Sequence, residues 1–230
     1  MTELRLITPE AKEGPFSAGT PLPRRLPPGR HGIPSNLVRE HQRLRLLAAM
    51  AEAVGDHGYA NVTTTHVSER ANVSTSTFYK HFGNLWDCLL AAYVAAADQL
   101  CETIEAACVE AEAGGDSLAE GIRAGLDLFA TEPALGRLVC AQAPREATAL
   151  GAARRLLISR LAAMLRRARG DKEERPQPHR LDERLIDATL AFLHTRLAGD
   201  DPERLTSLAS ELAAILDRPR LGGAAIAGQR

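Results

Sequence analysis

Between Val73 and Phe82 the chain reads VSTSTFYKHF, ten residues that hold four Ser/Thr hydroxyls, three aromatic rings, a lysine and a histidine. Only 4% of the chain is aromatic, so this is a local concentration. Hydroxyls both donate and accept hydrogen bonds, a threonine methyl meets a thymine methyl, a phenol reaches a sugar or a phosphate, and an ammonium holds a phosphate as a point charge. That is the chemistry of reading a polyanion, and it breaks no covalent bond.

Such side chains need a short, rigid helix beneath them. Ser74 is the candidate N-cap. With Val73, Phe78 and Phe82 turned inward, helical geometry turns Thr75, Ser76, Tyr79 and Lys80 outward. Thr75 and Ser76 fall in the first turn, where short side chains allow close approach to a major groove. Just upstream, NVTTTHVSERANV predicts a second short helix, opened by Thr63 or Thr64, with Val67 and Ala71 inside and Asn72 at the turn. Before that, Ser35 or Asn36 caps a longer helix whose Leu37, Leu44, Leu47, Ala51 and Val54 recur at helical spacing, with Gly55 and Gly58 as its stop. Two short helices joined tightly behind a longer one form a helix-turn-helix pattern.

Charge is distributed accordingly. The chain carries a net charge of -1, yet residues 21 to 82 hold eight Lys/Arg against four acids, and residues 83 to 230 hold 18 against 22. A basic end on an acidic body places the polyanion at one end. The first 34 residues contain seven prolines and four glycines, which interrupt any helix or central strand, so residues 1–34 read as a flexible basic arm. Its Arg30 reads either as a contact that follows phosphates or enters a minor groove, or as part of a solvated tail without a partner. Arg39, Arg43 and Arg45 are either a solvated helix face or further contacts to nucleic acid.

The rest is amphipathic and helical. Alanine and leucine dominate and strand-type runs are scarce, which predicts an all-α chain. Expected helices run from Leu85 to about Glu112, from a Ser117 cap to Thr131, briefly from Pro133, from Arg145 to about Arg169, from Arg180 to Ala198, and from Pro202 to Leu216. Asp201 is the expected cap of the last one. The domains expected are the arm 1–34, a helix-turn-helix domain 35–83, a helical domain 84–218 and a flexible tail 219–230.

The segment TTTHVSERANVSTSTFYKHFGNLWDCLL resembles the DNA-binding region of the TetR family of bacterial transcription regulators. The likeness rests on Thr63 or Thr64, Val67, Ala71, Val73, Ser74, Thr77, Phe78, Tyr79, His81 and Phe82 at the family's spacing, with Gly58 and Tyr59 before them. It spans Leu37 to Leu89. The resemblance implies a subunit of about nine helices with a C-terminal ligand-binding and dimerisation domain. It further implies that Thr75, Ser76 and Tyr79 read bases, that Thr64, Thr77, Lys80 and His81 hold phosphate, and that Thr65 is a lesser base contact. Arg43 and Arg30 complete the candidate DNA-binding set. The chain departs from the family pattern at Asn72 and Ser76, where glycine is usual, and at Leu85, where a lysine commonly begins the fourth helix and holds a phosphate. The basic arm is the expected substitute for that cation.

The function expected is a homodimeric repressor, paired through the last two helices, that leaves a palindromic operator when an unknown small-molecule effector binds. Phe129, Cys140, Gln142 and His194 are candidate effector contacts, and the scarcity of aromatics weighs against a cage of stacked rings. One alternative is a redox-responsive regulator using Cys101 and Cys108; another is an all-helical binding protein or enzyme without DNA binding. No phosphate loop, GxSxG, HExxH or paired-cysteine motif is present, so neither an enzyme, a cofactor nor a metal site is expected. No apolar stretch is long enough to span a membrane and no secretory pattern opens the chain, so a cytoplasmic protein is expected.

Overall fold

The computed structural model describes residues 35–111, 116–141, 149–170, 179–199 and 202–217. Among the described residues there are nine α-helices and no strand: α1 Ser35–His57, α2 Thr64–Arg70, α3 Thr75–His81, α4 Leu85–Ala111, α5 Ser117–Thr131, α6 Pro133–Cys140, α7 Ala149–Ala168, α8 His179–Leu197 and α9 Ala209–Leu216. The fold is all-α, an N-terminal helix-turn-helix followed by a helical C-terminal part. The described residues up to Ala96 form one compact unit and those from Ala97 onward a second, so the division falls inside α4 rather than at Gly83. The expected arm, the C-terminal tail, Arg30, Gln142 and Asp201 lie outside the described residues.

In the first unit, α1 ends where Gly58 takes φ +72 and its N–H reaches the Val54 carbonyl at 2.8 Å, while Gly55 remains inside the helix. Glycine accepts that left-handed geometry without the steric cost of a Cβ. The α1 face that packs inward is Leu46, Leu47, Met50, Ala51 and Val54, all 4% exposed or less. Leu37, expected on that face, is 57% exposed, because the core lies beside the C-terminal half of the helix. Leu44 is only half-buried. Val67, Ala71, Phe78 and Phe82 close the core from α2 and α3, and Cys88, Leu89, Ala92 and Tyr93 from α4. Those α4 residues explain why the unit extends past Gly83.

The second unit is built around α5, which packs against α6, α7, α9 and a 3-10 segment, Pro202–Leu208. Asp116, not Ser117, caps α5, accepting from the N–H groups of Leu118 and Ala119 at 3.1 Å each. Ser117 is already its first helical residue. The expected helix from Pro202 to Leu216 divides into the 3-10 segment and α9, and Leu205, Leu212 and Leu216 turn into the unit's own core. Two buried ionic groups tie helix ends together. Arg154 on α7 donates to the carbonyls of Val139 and Ala141 at the end of α6 and to Asp187 of α8 at 2.7 Å. Asp182 at the start of α8, only 2% exposed, faces Arg169 at 3.1 Å and Arg166 at 3.6 Å.

Candidate nucleic-acid interface

Thr63 caps α2, its hydroxyl accepting from the His66 N–H at 3.2 Å, which leaves Thr64 as the first helical residue, half-buried, and Thr65 exposed beside it. Ser74 caps α3 in the same way, accepting from the Thr77 N–H at 3.0 Å. Each cap satisfies an amide that would otherwise lack a partner and fixes where the first turn begins. Between the helices Asn72 sits at φ +50, a conformation that asparagine tolerates better than most residues. Its N–H reaches the Glu69 carbonyl at 3.0 Å, and the Val73 N–H reaches the Ser68 carbonyl at 3.0 Å.

Arg45 secures that turn from outside the two short helices. Its guanidinium donates to the Ala71 carbonyl and, at 3.3 Å, to the Asn72 carbonyl. A planar cation at the C-terminal end of α2 answers both the unpaired carbonyls and the helix dipole. Arg70 makes a second tie, pairing with Asp56 and with Glu52 of α1 at 3.7 Å. The His57 and His66 rings stack at 4.1 Å between α1 and α2. Among the described residues, no three His, Cys, Asp or Glu side chains group as metal ligands.

The residues singled out by their chemistry divide into free and engaged groups. Thr75, Ser76 and Lys80 are exposed, and Tyr79 is 56% exposed with its ring edge-on to buried Phe78 at 5.4 Å. Thr77 is half-buried, with its hydroxyl 2.9 Å from that of Ser74. His81 is half-buried, its Nε2 3.2 Å from Gln42 Oε1 on α1. Arg43 places its guanidinium over the Phe82 ring at 5.0 Å. Burial pushes the His81 pKa down, Arg39 and Arg43 push it further, and Glu40 opposes them. The imidazole therefore lies in a positive field, of the sign that a phosphate would answer.

Arg45 and Asn84 carry roles near this surface that the sequence pattern does not assign. In the sequence Arg45 reads with Arg39 and Arg43 as either a solvated helix face or a contact to nucleic acid, and only the fold brings it against a turn 26 residues away. Trp86 is 58% exposed in the first turn of α4, next to Leu85, which is half-buried. Asn84 caps α4, accepting from the Asp87 N–H at 2.9 Å.

The effector candidates are in the second unit. Phe129 lines an aliphatic cavity of about 90 Å³, together with Leu100, Ile104, Leu126, Leu190 and Leu193. Cys140 is fully buried outside that lining, and His194 is half-buried and also outside it, with its Nδ1 enclosed and lacking a hydrogen-bond partner. Cys101 is buried, its thiol pushed up to about 11 by loss of solvation, and the thiol of Cys108 donates to the Ser117 carbonyl at 3.3 Å. No described helix is long and apolar enough to cross a membrane.

Residues 46–92 match the model of the bacterial regulatory proteins of the tetR family. The fold resembles that of the transcriptional regulator FadR of Bacillus subtilis, solved with stearoyl-CoA, at 19% identity and a TM-score of 0.61 over 75% of this chain and 96% of that one. FadR of Bacillus halodurans gives 15% identity and 0.58 over 75% and 96%. A TetR-family regulator of Mesorhizobium loti gives 16% identity and 0.57 over 77% and 96%. No curated protein matches the chain significantly.

Proposed function

We propose that the chain, whose residues 46–92 match the tetR-family model, is a DNA-binding transcriptional regulator that acts in the cytoplasm as a homodimeric repressor released from a palindromic operator by a small molecule. The observation that carries the DNA-binding half of this reading is the exposure of Thr75, Ser76, Tyr79 and Lys80 on a helix whose other face holds Phe78 at 0% exposure. Thr75, Ser76 and Tyr79 read base edges, with Thr65 as a lesser contact; Thr64, Thr77, Lys80, His81 and Arg43 hold the backbone. Arg45 acts through the turn, which it holds in register.

Two heads on one duplex require a second copy. Leu181 and Phe192 on α8 and Ile215 on α9 are large apolar side chains left 58%, 39% and 46% exposed, which supports pairing through these two helices. The apolar cavity supports an effector in the second unit, as does the likeness to a regulator solved with a bound ligand. Release then needs only that the effector bind more tightly to the dimer state whose heads do not fit the operator. The redox alternative is weak, because a thiol held near 11 supplies little thiolate at neutral pH.

The test is selection of bound DNA from random sequence, followed by titration of the selected site at physiological salt. Tyr79→Ala combined with Lys80→Ala is expected to weaken binding at least tenfold without changing thermal stability. Unchanged affinity, or a monomer at micromolar concentration in sedimentation, overturns the reading.

A further inference from the structure

Next to the cavity that Phe129 lines is a second one of about 70 Å³, and the two share the side chains of Ile104, Ile122, Leu161, Ile186 and Leu216 as a common wall. Their offset follows α5. Gly125 lines the first and Gly121 the second, one helical turn or about 6 Å apart. The two glycines also allow α5 to approach α4 closely: a Cβ at Gly121 would meet Cys108 Sγ at 2.6 Å, and one at Gly125 would meet Ile104 Cδ1 at 3.3 Å. The space is therefore two small compartments in line along a helix, with aliphatic side chains shared between them.

The lining restricts what can enter. Among the described residues, no charged side chain faces either compartment. The hydroxyl in the first, Thr189, donates to the Leu185 carbonyl of its own helix at 2.8 Å, and the thiol in the second, Cys108, donates to Ser117. A polar atom buried here would lose water and gain no partner, a cost that excludes polar or ionic ligand parts. Among the described residues Phe129 is the one ring in the two linings, and it gives a planar aromatic ligand no pair of faces to stack between.

The geometry points to an unbranched saturated hydrocarbon tail of medium length, lying along α5 with one segment in each compartment and its polar end outside both. The length follows from volume. A cavity of about 150 Å³ holds benzene, so compartments of this size take about three or four carbons each, and the pair takes a tail of about six to eight. This assignment rests on the reading of the second unit as the effector domain and names the chemistry that the effector must carry.

The experiment is calorimetric titration of the full chain with straight-chain acids from butanoate to octadecanoate, with 1-alkanols and acyl-CoA thioesters of matched length, and with a planar polyaromatic dye. Affinity should rise about fourfold for each added methylene up to octanoate and then level or fall. Acids and alcohols of equal length should bind alike. An affinity that climbs through octadecanoate, tighter binding of the dye, or binding of the thioester alone overturns the assignment. Leu161→Phe, which fills the shared wall, should weaken octanoate at least tenfold. Should that variant fail to fold, Ile186→Val removes one methyl from the same wall and should move the preferred length up by about one carbon; an unchanged profile counts against the proposal. Release of selected DNA is measured in parallel. Tails that bind without releasing DNA sink the effector reading and leave the cavity assignment standing, whereas a chain that holds its DNA and binds no tail sinks the assignment alone.

Discussion

The two units of this chain use polar side chains in opposite ways. In the first, Thr63, Ser74, Asn84 and Arg45 satisfy backbone groups at helix ends and at the turn, leaving Thr75, Ser76, Tyr79 and Lys80 free on the surface. In the second, two ionic groups are buried between helices, Asp182 between Arg166 and Arg169 and Arg154 over the end of α6, with further pairs such as Arg167 and Glu105 at the surface, while the interior cavities are almost wholly aliphatic. The contrast teaches where specificity is held. A head that must meet a polyanion keeps its interior apolar and its exposed face polar. The second unit keeps an apolar interior as well, but joins its helices through buried ionic groups.

The sharpest way to break this comparison is Phe78→Ala, which empties a fully buried site in the head and should cost about 4 kcal/mol. Selected DNA should no longer bind, while calorimetric binding of a short alkanoate to the second unit persists. Loss of both functions would mean that the units are not separable. Next comes Asp182→Ala, which leaves two arginines without their buried anion and should cost about 3 kcal/mol or more in urea unfolding. Here the expected pattern is the reverse, with tail binding weakened before the head melts.

Within the head, Arg45→Met removes a charged hydrogen bond from the turn and should cost about 2 kcal/mol of stability along with operator affinity. Arg43→Gln removes a cation–π contact and should cost less than about 1 kcal/mol of stability, its main effect falling on binding and its salt dependence. Equal effects of the two would erase the distinction between an arginine that holds the fold and one that faces DNA. The smallest expected effect is with pH. Burial lowers the pKa of His41, with Arg45 adding to the effect, and burial lowers that of His81, with Arg39 and Arg43 adding to it. Both neutral forms are favoured in the folded head, so its stability should be full above about pH 6.5, the unfolded value, and decline as pH falls below it. A urea midpoint for the head that rises on acidification would contradict both assignments.

The legibility of the chain follows the range of the interactions involved. Ser74 as a cap, Phe78 and Phe82 as core, Gly58 as a helix stop and the likeness to the tetR-family model were readable in VSTSTFYKHF and its flanks, because caps, turns and helical faces are set by residues within a few positions of one another. Leu37 misled because periodicity tells which face is apolar but not how far along the helix the core extends. Ser117 misled because Asp116, one residue earlier, is an equally good cap and takes the amides.

By itself, then, the sequence determined the all-α class, the helix-turn-helix and the side chains that the reading helix turns outward, since each follows from short-range hydrogen bonding and a repeat of 3.6 residues. Only the tertiary structure decided that Arg45 holds the turn while Arg43 lies over Phe82, that His81 meets Gln42, that Leu205, Leu212 and Leu216 turn inward, and that Gly125 borders an aliphatic cavity that Phe129 also lines and Cys140 does not, with Gly121 on its neighbour. Those facts join residues far apart in the chain. Their partners are chosen by how helices pack, and no local pattern contains that information.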